Sequence, residues 1–120
     1  MATYTKLLLS GSTNGKNMQV TGTATGSAII VHTAVAGTSD LDEIWLYATG
    51  TTATSRILTV EFGAAGGDKD LVELDVGAEG TGAKLVIPGW LLQNGMVVRA
   101  YCPAASNEIN LNGFVNRITA

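Results

Sequence analysis

Short stretches in which apolar and polar residues alternate strictly recur along this chain, each closed by a turn rich in glycine, asparagine or threonine. Nowhere do the apolar residues repeat at helical spacing. Alternation with period two sends successive side chains to opposite faces of an extended strand, so such a chain must cover one face of every strand with another sheet. Leu41 to Thr49 shows the pattern most clearly, with Ile44, Leu46 and Ala48 on one face and Glu43, Trp45 and Tyr47 on the other. In Ser55 to Gly63, Leu58, Val60 and Phe62 oppose Ile57, Thr59 and Glu61; in Asp70 to Val76, Val72, Leu74 and Val76 oppose Leu71 and Glu73.

The heaviest apolar load lies in Leu85 to Tyr101, which contains two turn signals. Pro88-Gly89 presets a bend, because proline holds φ near the turn value and glycine accepts positive φ. Asn94-Gly95 between apolar runs is a hairpin signal. The expectation is a strand, a tight corner and a returning strand. Tyr4 to Ser10 reads as a first strand, with Asn14-Gly15 turning the chain so that Lys16 to Val20 returns antiparallel to it, although residues 1–15 also suit an arm. Ser27 to Val35 adds a further strand. The last one, Ile109 to Thr119, carries Asn110, Asn112 and Asn116 on its off-face, which calls for side-chain partners there or a bulge at Gly113 that re-aims Phe114. The glycine-rich run from Gly63 to Lys69 reads as a contact arm or a loose tip. About eight strands at intervals of roughly 8–14 residues, with no amphipathic helix, make an all-β antiparallel β-sandwich. A jelly roll fits best and a simpler Greek-key sandwich next.

At 120 residues the chain has room for a single domain, spanning 1–120, that buries roughly two-thirds of its unfolded surface without disulfides or metal. Only 14% of the residues are charged, so threonine, serine, asparagine and glycine must cover the surface. The net charge of −3, with the basic residues scattered singly, argues against nucleic acid, which is held mainly through clustered Lys and Arg. Cys102 is the one cysteine, so no intrachain disulfide or thiolate pair can form, and a buried spectator thiol is expected. Runs such as Leu7-Leu8-Leu9 are far shorter than a membrane helix needs, and the first residues lack the basic and apolar regions of a secretory signal. The expected setting is a cytoplasm, or export inside something larger.

Candidate chemistry is sparse. His32 is the one histidine and lies in an apolar strand, where an ordinary half-buried role is expected. Nucleophilic catalysis needs a base that takes a proton near neutral pH. Asp40, Asp42 and Glu43, like Asp68, Asp70 and Glu73, cluster at turns as solvated acids do, and an EF-hand spacing is missing around Asp68-Lys69-Asp70. The glycines from 63 to 67 lack the lysine and hydroxyl of a phosphate-binding loop. No catalytic, metal or cofactor site is therefore expected. Trp45 and Tyr47, at i and i+2 of one strand, suit a protein interface, core cover or a sugar-stacking surface. Trp90, beside the Pro-Gly corner, reads as a core plug.

Three segments, Glu43 to Thr49, Pro88 to Tyr101 (with its NGMVVRAY) and Ile109 to Thr119 (with its NGFVNRIT), resemble the small virion structural proteins of tailed bacteriophages. The similarity covers about the last two-thirds of the chain and includes no catalytic motif. It implies a non-enzymatic capsid decoration, or cement, protein that assembles in the host cytoplasm onto the capsid surface. Its partners would be the major capsid protein and copies of itself, often as a trimer. In that role Trp45, Tyr47, Ile57 and Phe114 are the expected interface residues. A tail, fibre or baseplate component and a carbohydrate-binding module are the alternatives.

Overall fold

The computed structural model describes residues 2–63 and 68–120, and the centre of the expected contact arm, 64–67, lies outside them. Nine strands follow in order: β1 (Thr3–Leu8), β2 (Met18–Gln19), β3 (Ile29–Thr33), β4 (Leu41–Gly50), β5 (Arg56–Phe62), β6 (Leu71–Val76), β7 (Lys84–Leu92), β8 (Val97–Tyr101) and β9 (Ile109–Thr119). Two short 3-10 turns, Thr25–Ser27 and Asp68–Asp70, are the helical elements among the described residues.

The strands form two antiparallel sheets. The first, sheet A, runs β1-β9-β4-β7, with β2 also pairing with β9; the second, sheet B, runs β3-β8-β5-β6. β1 takes the C-terminal half of β9 and β2 its N-terminal end, so the two behave as one interrupted edge strand. Counted that way there are eight strands. Of the links that follow β2, only β5 to β6 stays within a sheet, and every other crosses the sandwich. That order, with both sheets interleaved along the chain, is a jelly roll.

This topology corrects several local expectations. Asn94 and Gly95 do adopt positive φ, at 57° and 70°, but the strands they join lie in different sheets and do not pair. The turn crosses the sandwich, and its amides instead bond the β3–β4 loop, Asn94 N–H to the Gly37 carbonyl at 2.8 Å and Gly95 N–H to that of Val35 at 3.0 Å. Asn14 and Gly15 likewise have φ of 55° and 80°, yet β2 pairs with β9 and not with β1. Pro88-Gly89 makes no corner. β7 runs unbroken through it, with an irregularity in its register against β4, and Gly89 at φ 81° accepts the Trp45 ring over its backbone.

The core lies between the sheets. Ile44, Leu46 and Ala48 from β4, Ile109, Leu111 and Val115 from β9, and Ile87 from β7 face Leu58 and Val60 from β5, Val98 and Ala100 from β8, and Val31 from β3. Each is buried and each large one contributes about 1.5–3 kcal/mol. Cys102 is also buried and free, as expected. Trp90 is not the expected core plug: 46% of it is exposed, because it sits on β7 and stacks over Phe62 of β5, bridging the two sheets at their end.

Gly113 is needed for space, not for a bulge. The β4–β9 register runs past it unbroken, and a Cβ there would meet the Trp45 carbonyl oxygen at 2.0 Å and Leu46 Cα at 3.1 Å. Both obstacles are backbone of the central strand, which cannot move without breaking its own pairing. Gly113→Ala should therefore lower unfolding free energy by about 2 kcal/mol or more, while Gly26→Ala, where an added Cβ meets nothing within 4 Å, should change it by less than about 0.5 kcal/mol. Urea denaturation of the two variants checks both values.

Candidate interaction surface

Two groupings of polar and aromatic side chains emerge from this fold, one buried and one facing out. The buried one centres on Asp42. In β4 it shares the inward phase of Ile44 and Leu46, so its carboxylate is forced into the core and must find partners. It is not the solvated turn acid its sequence position implied. Arg117, which holds the inward phase of β9 directly opposite, donates from Nε to Oδ1 at 2.7 Å and from Nη2 to Oδ2 at 3.0 Å. The Val35 N–H adds a bond to Oδ2 at 3.1 Å.

His32 completes the cluster. It is fully buried, not half-buried, with Nε2 2.8 Å from Asp42 Oδ2. Its Nδ1 lies 3.0 Å from the Ser10 backbone N–H, which can only donate. Nδ1 must therefore be the accepting nitrogen, and the imidazole is the neutral tautomer with its proton on Nε2, donated to Asp42. Both ring nitrogens are thus committed to structural bonds, and the Ser10 hydroxyl accepts from the Thr33 N–H at 2.7 Å instead of meeting the imidazole. A nucleophile and a free base are not assembled here. Among the described residues no group of three His, Cys, Asp or Glu is placed to hold a metal ion.

The outward grouping covers the solvent side of sheet A. Cross-strand register lines up Leu8, Phe114, Trp45 and Pro88 as one apolar row over β1, β9, β4 and β7. Tyr4, Ile118 and Leu41 form a second row, and Tyr47 lies between Asn112 and Leu85 in a third. The Trp45 and Phe114 ring centroids are 6.2 Å apart and their planes are nearly parallel, tilted by only 13°, so the two rings form a stacked cross-strand pair. Trp45 is fixed by donating from Nε1 to Glu43 Oε1 at 2.8 Å, and Asn116 donates to the same oxygen at 3.0 Å. Those two bonds hold the Glu43 carboxyl below its usual value. Lys6 Nζ stands 5.0 Å from the Phe114 centroid, within cation–π range.

Two of the three off-face asparagines of β9 have the partners their placement demanded: Asn112 donates to the Gly15 carbonyl and to Asn17, and Asn116 to Glu43. Of the expected interface residues, Trp45, Tyr47 and Phe114 share this face, while Ile57 lies on the outer face of sheet B, opposite Asp75. Sheet B is covered differently. The Thr25–Ser27 turn lies over it, burying Glu61, whose two carboxylate oxygens accept from the Thr25 hydroxyl at 2.8 and 3.0 Å. Glu73, Asp75 and Arg99 share that side. Leu8, Tyr4, Leu91 and Lys6 were not singled out from sequence; the usable signal was the outward phase of Tyr4, Lys6 and Leu8 in the first strand.

No family model matches the chain, and no curated protein matches it in sequence. Among solved structures, the exo-β-1,3-galactanase of Phanerochaete chrysosporium bound to β-1,3-galactotriose matches 96% of this chain at 22% identity and a TM-score of 0.50. The same enzyme with galactose matches at 22% identity and a TM-score of 0.49. The chain spans 26% of the galactanase chain. The likeness is one of fold: it agrees with the β-sandwich.

The Asp42 cluster predicts an acid limb in stability. Burial alone would raise the Asp42 carboxyl, but its bonds to Arg117 and His32, the Arg117 charge and the Val35 N–H outweigh that and hold it below the ordinary 3.8. The unfolded chain then binds the proton first, so this contribution is complete above about pH 4–5 and is lost as the pH falls through the folded value. Asp42→Asn should lose about 3 kcal/mol at pH 7 and show a flatter profile below pH 4. Urea titrations between about pH 2 and pH 7 measure both effects.

Proposed function

We propose that this protein is a non-enzymatic structural component of a phage virion, a decoration protein that binds the major capsid protein lattice and reinforces it. One observation carries the reading. The outer face of sheet A, which in a free-standing sandwich would be polar, presents Tyr4, Leu8, Trp45, Phe114, Pro88 and Leu91, with Lys6 and Glu43 as the charges in its outward phase beside Asn112 and Asn116. Leu91 is 56% exposed and Leu8 53%, so this apolar surface is not covered by the chain itself. The resemblance of the β7–β8 and β9 segments to small phage virion proteins supports the same role. A decoration protein acts physically: weak contacts, repeated on every copy around a closed shell, add up to a strong clamp without any chemical step. The committed hydrogen bonds of His32 suit such a role.

The test begins with purified virions. Quantitative mass spectrometry should find this protein near stoichiometric with the major capsid protein, and Trp45→Ala should reduce its binding to shells lacking it by about tenfold or more while far-UV circular dichroism stays unchanged. A few copies per particle would move it to the tail, fibre or baseplate. Absence from virions, together with Trp45-dependent glycan binding, would replace the proposal by a carbohydrate-binding module.

A further inference from the structure

The outer face of sheet A carries a pattern that goes beyond its being apolar. β9 runs up the middle, with β1 on one side and β4 on the other. In the row through Asn116, Lys6 lies on one flank and Glu43 on the other. In the row through Phe114 the flanks are Leu8 and Trp45, and in the row through Ile118 they are Tyr4 and Leu41. Opposite charges thus balance across β9 in one row, and apolar groups balance in the two rows beside it.

A half-turn about an axis lying along β9, just above the face, exchanges left and right but keeps each row in place. It sets Lys6 of one copy over Glu43 of the other, twice, and lays Leu8 over Trp45, Phe114 over Phe114 and Asn116 over Asn116. We propose that this face pairs with the same face of a second copy, giving an isologous dimer closed by two Lys6–Glu43 ion pairs around a Trp45–Phe114–Leu8 centre. The inference rests on the structural role proposed above and names the partner of that surface.

Three features of this face support a second copy as the occupant. The charges are self-complementary only under a two-fold; a trimer would need two different patches per copy. Glu43 is prepared as the acceptor: Oε1 is taken by Trp45 and Asn116, whereas Oε2 has no hydrogen-bond partner among the described residues. The size is also adequate. Four strands spaced about 4.8 Å apart and about ten residues long give about 600 Å² per copy, hence about 1,200 Å² in a pair, the lower end of stable specific interfaces. Packed sheets cross at about 30°, and rows near the axis stay in register through such an angle. A contact of that size is weak in solution; on a capsid it joins neighbouring bound copies, so that other surfaces of each copy meet the lattice and Trp45→Ala loosens shell binding through the lost link between copies.

The experiment is a charge exchange read by sedimentation equilibrium. The unaltered chain should be dimeric at about 50 µM and dissociate progressively as salt is raised. Lys6→Glu alone and Glu43→Lys alone should each weaken the dimer by about tenfold or more, because each places two like-charge pairs across the interface. Mixing the two single variants should restore a heterodimer, and the K6E/E43K double variant should restore the homodimer; thermal unfolding of each confirms that it folds. A monomer or trimer at that concentration, or single variants that associate as the unaltered chain does, would overturn the pairing while leaving the capsid role standing. Absence from virions would remove the capsid role and leave a measured dimer intact.

Discussion

A single carboxylate placed in the wrong phase organises this sandwich. Asp42 occupies a core position of β4, where an unpaired charge would be prohibitive, and the structure answers with Arg117 from β9, His32 from β3 and an amide from the β3–β4 loop. Those groups belong to both sheets. His32 in turn holds the Ser10 amide, and Ser10 holds Thr33, so the segment after β1 is bound to the edge of sheet B. Gly11 continues that attachment through its N–H to the Val31 carbonyl at 3.0 Å. Apolar packing alone would let two sheets slide; a buried, directional cluster of this kind fixes one alignment.

The two outer faces follow from how each sheet is closed. Sheet B receives the Thr25–Ser27 turn, which covers Glu61, and its remaining outward positions include charged residues. Sheet A receives no such cover. Its β9 strand lies so close to β4 at Gly113 that an added Cβ would meet the Trp45 carbonyl, and next to that point the outward rings of Trp45 and Phe114 stack with nearly parallel planes. Gly89 contributes likewise, since a side chain there would push the Trp45 ring off the sheet.

Much of the architecture was legible in the alternation of β4, β5, β6 and β9, because burial on one face enforces period two and leaves a direct trace in sequence. Turn chemistry was legible too: Asn14 and Asn94 take the positive φ their Asn-Gly pairs imply. What those pairs do not encode is whether the flanking strands hydrogen-bond to each other, since a left-handed turn serves a sheet-crossing link as well as a hairpin. The buried cluster was hidden for another reason. Its members lie 10 and 75 positions apart, and only the register of β4 against β9 brings them together. A trace was nonetheless present: Asp42 shares the parity of Ile44, Leu46 and Ala48, and Arg117 that of Leu111 and Val115. Two opposite charges, each in the core phase of its own strand, are a pairing signal that turn-based reading of acids overlooks.

The place of β9 also bears on how the protein is made. It is the last strand in the sequence, yet it pairs with β1, β2 and β4 and so joins three strands that otherwise share no ladder with one another. Synthesis must therefore pass Thr119 before sheet A can close, and the early strands wait as unpaired edges until it does. Long-range pairing of this kind slows folding and leaves nascent chains in need of protection from aggregation. The same arrangement acts as a length check: a chain broken off before Ile109 lacks β9, so neither the Trp45–Phe114 pair nor the apolar rows of sheet A can form.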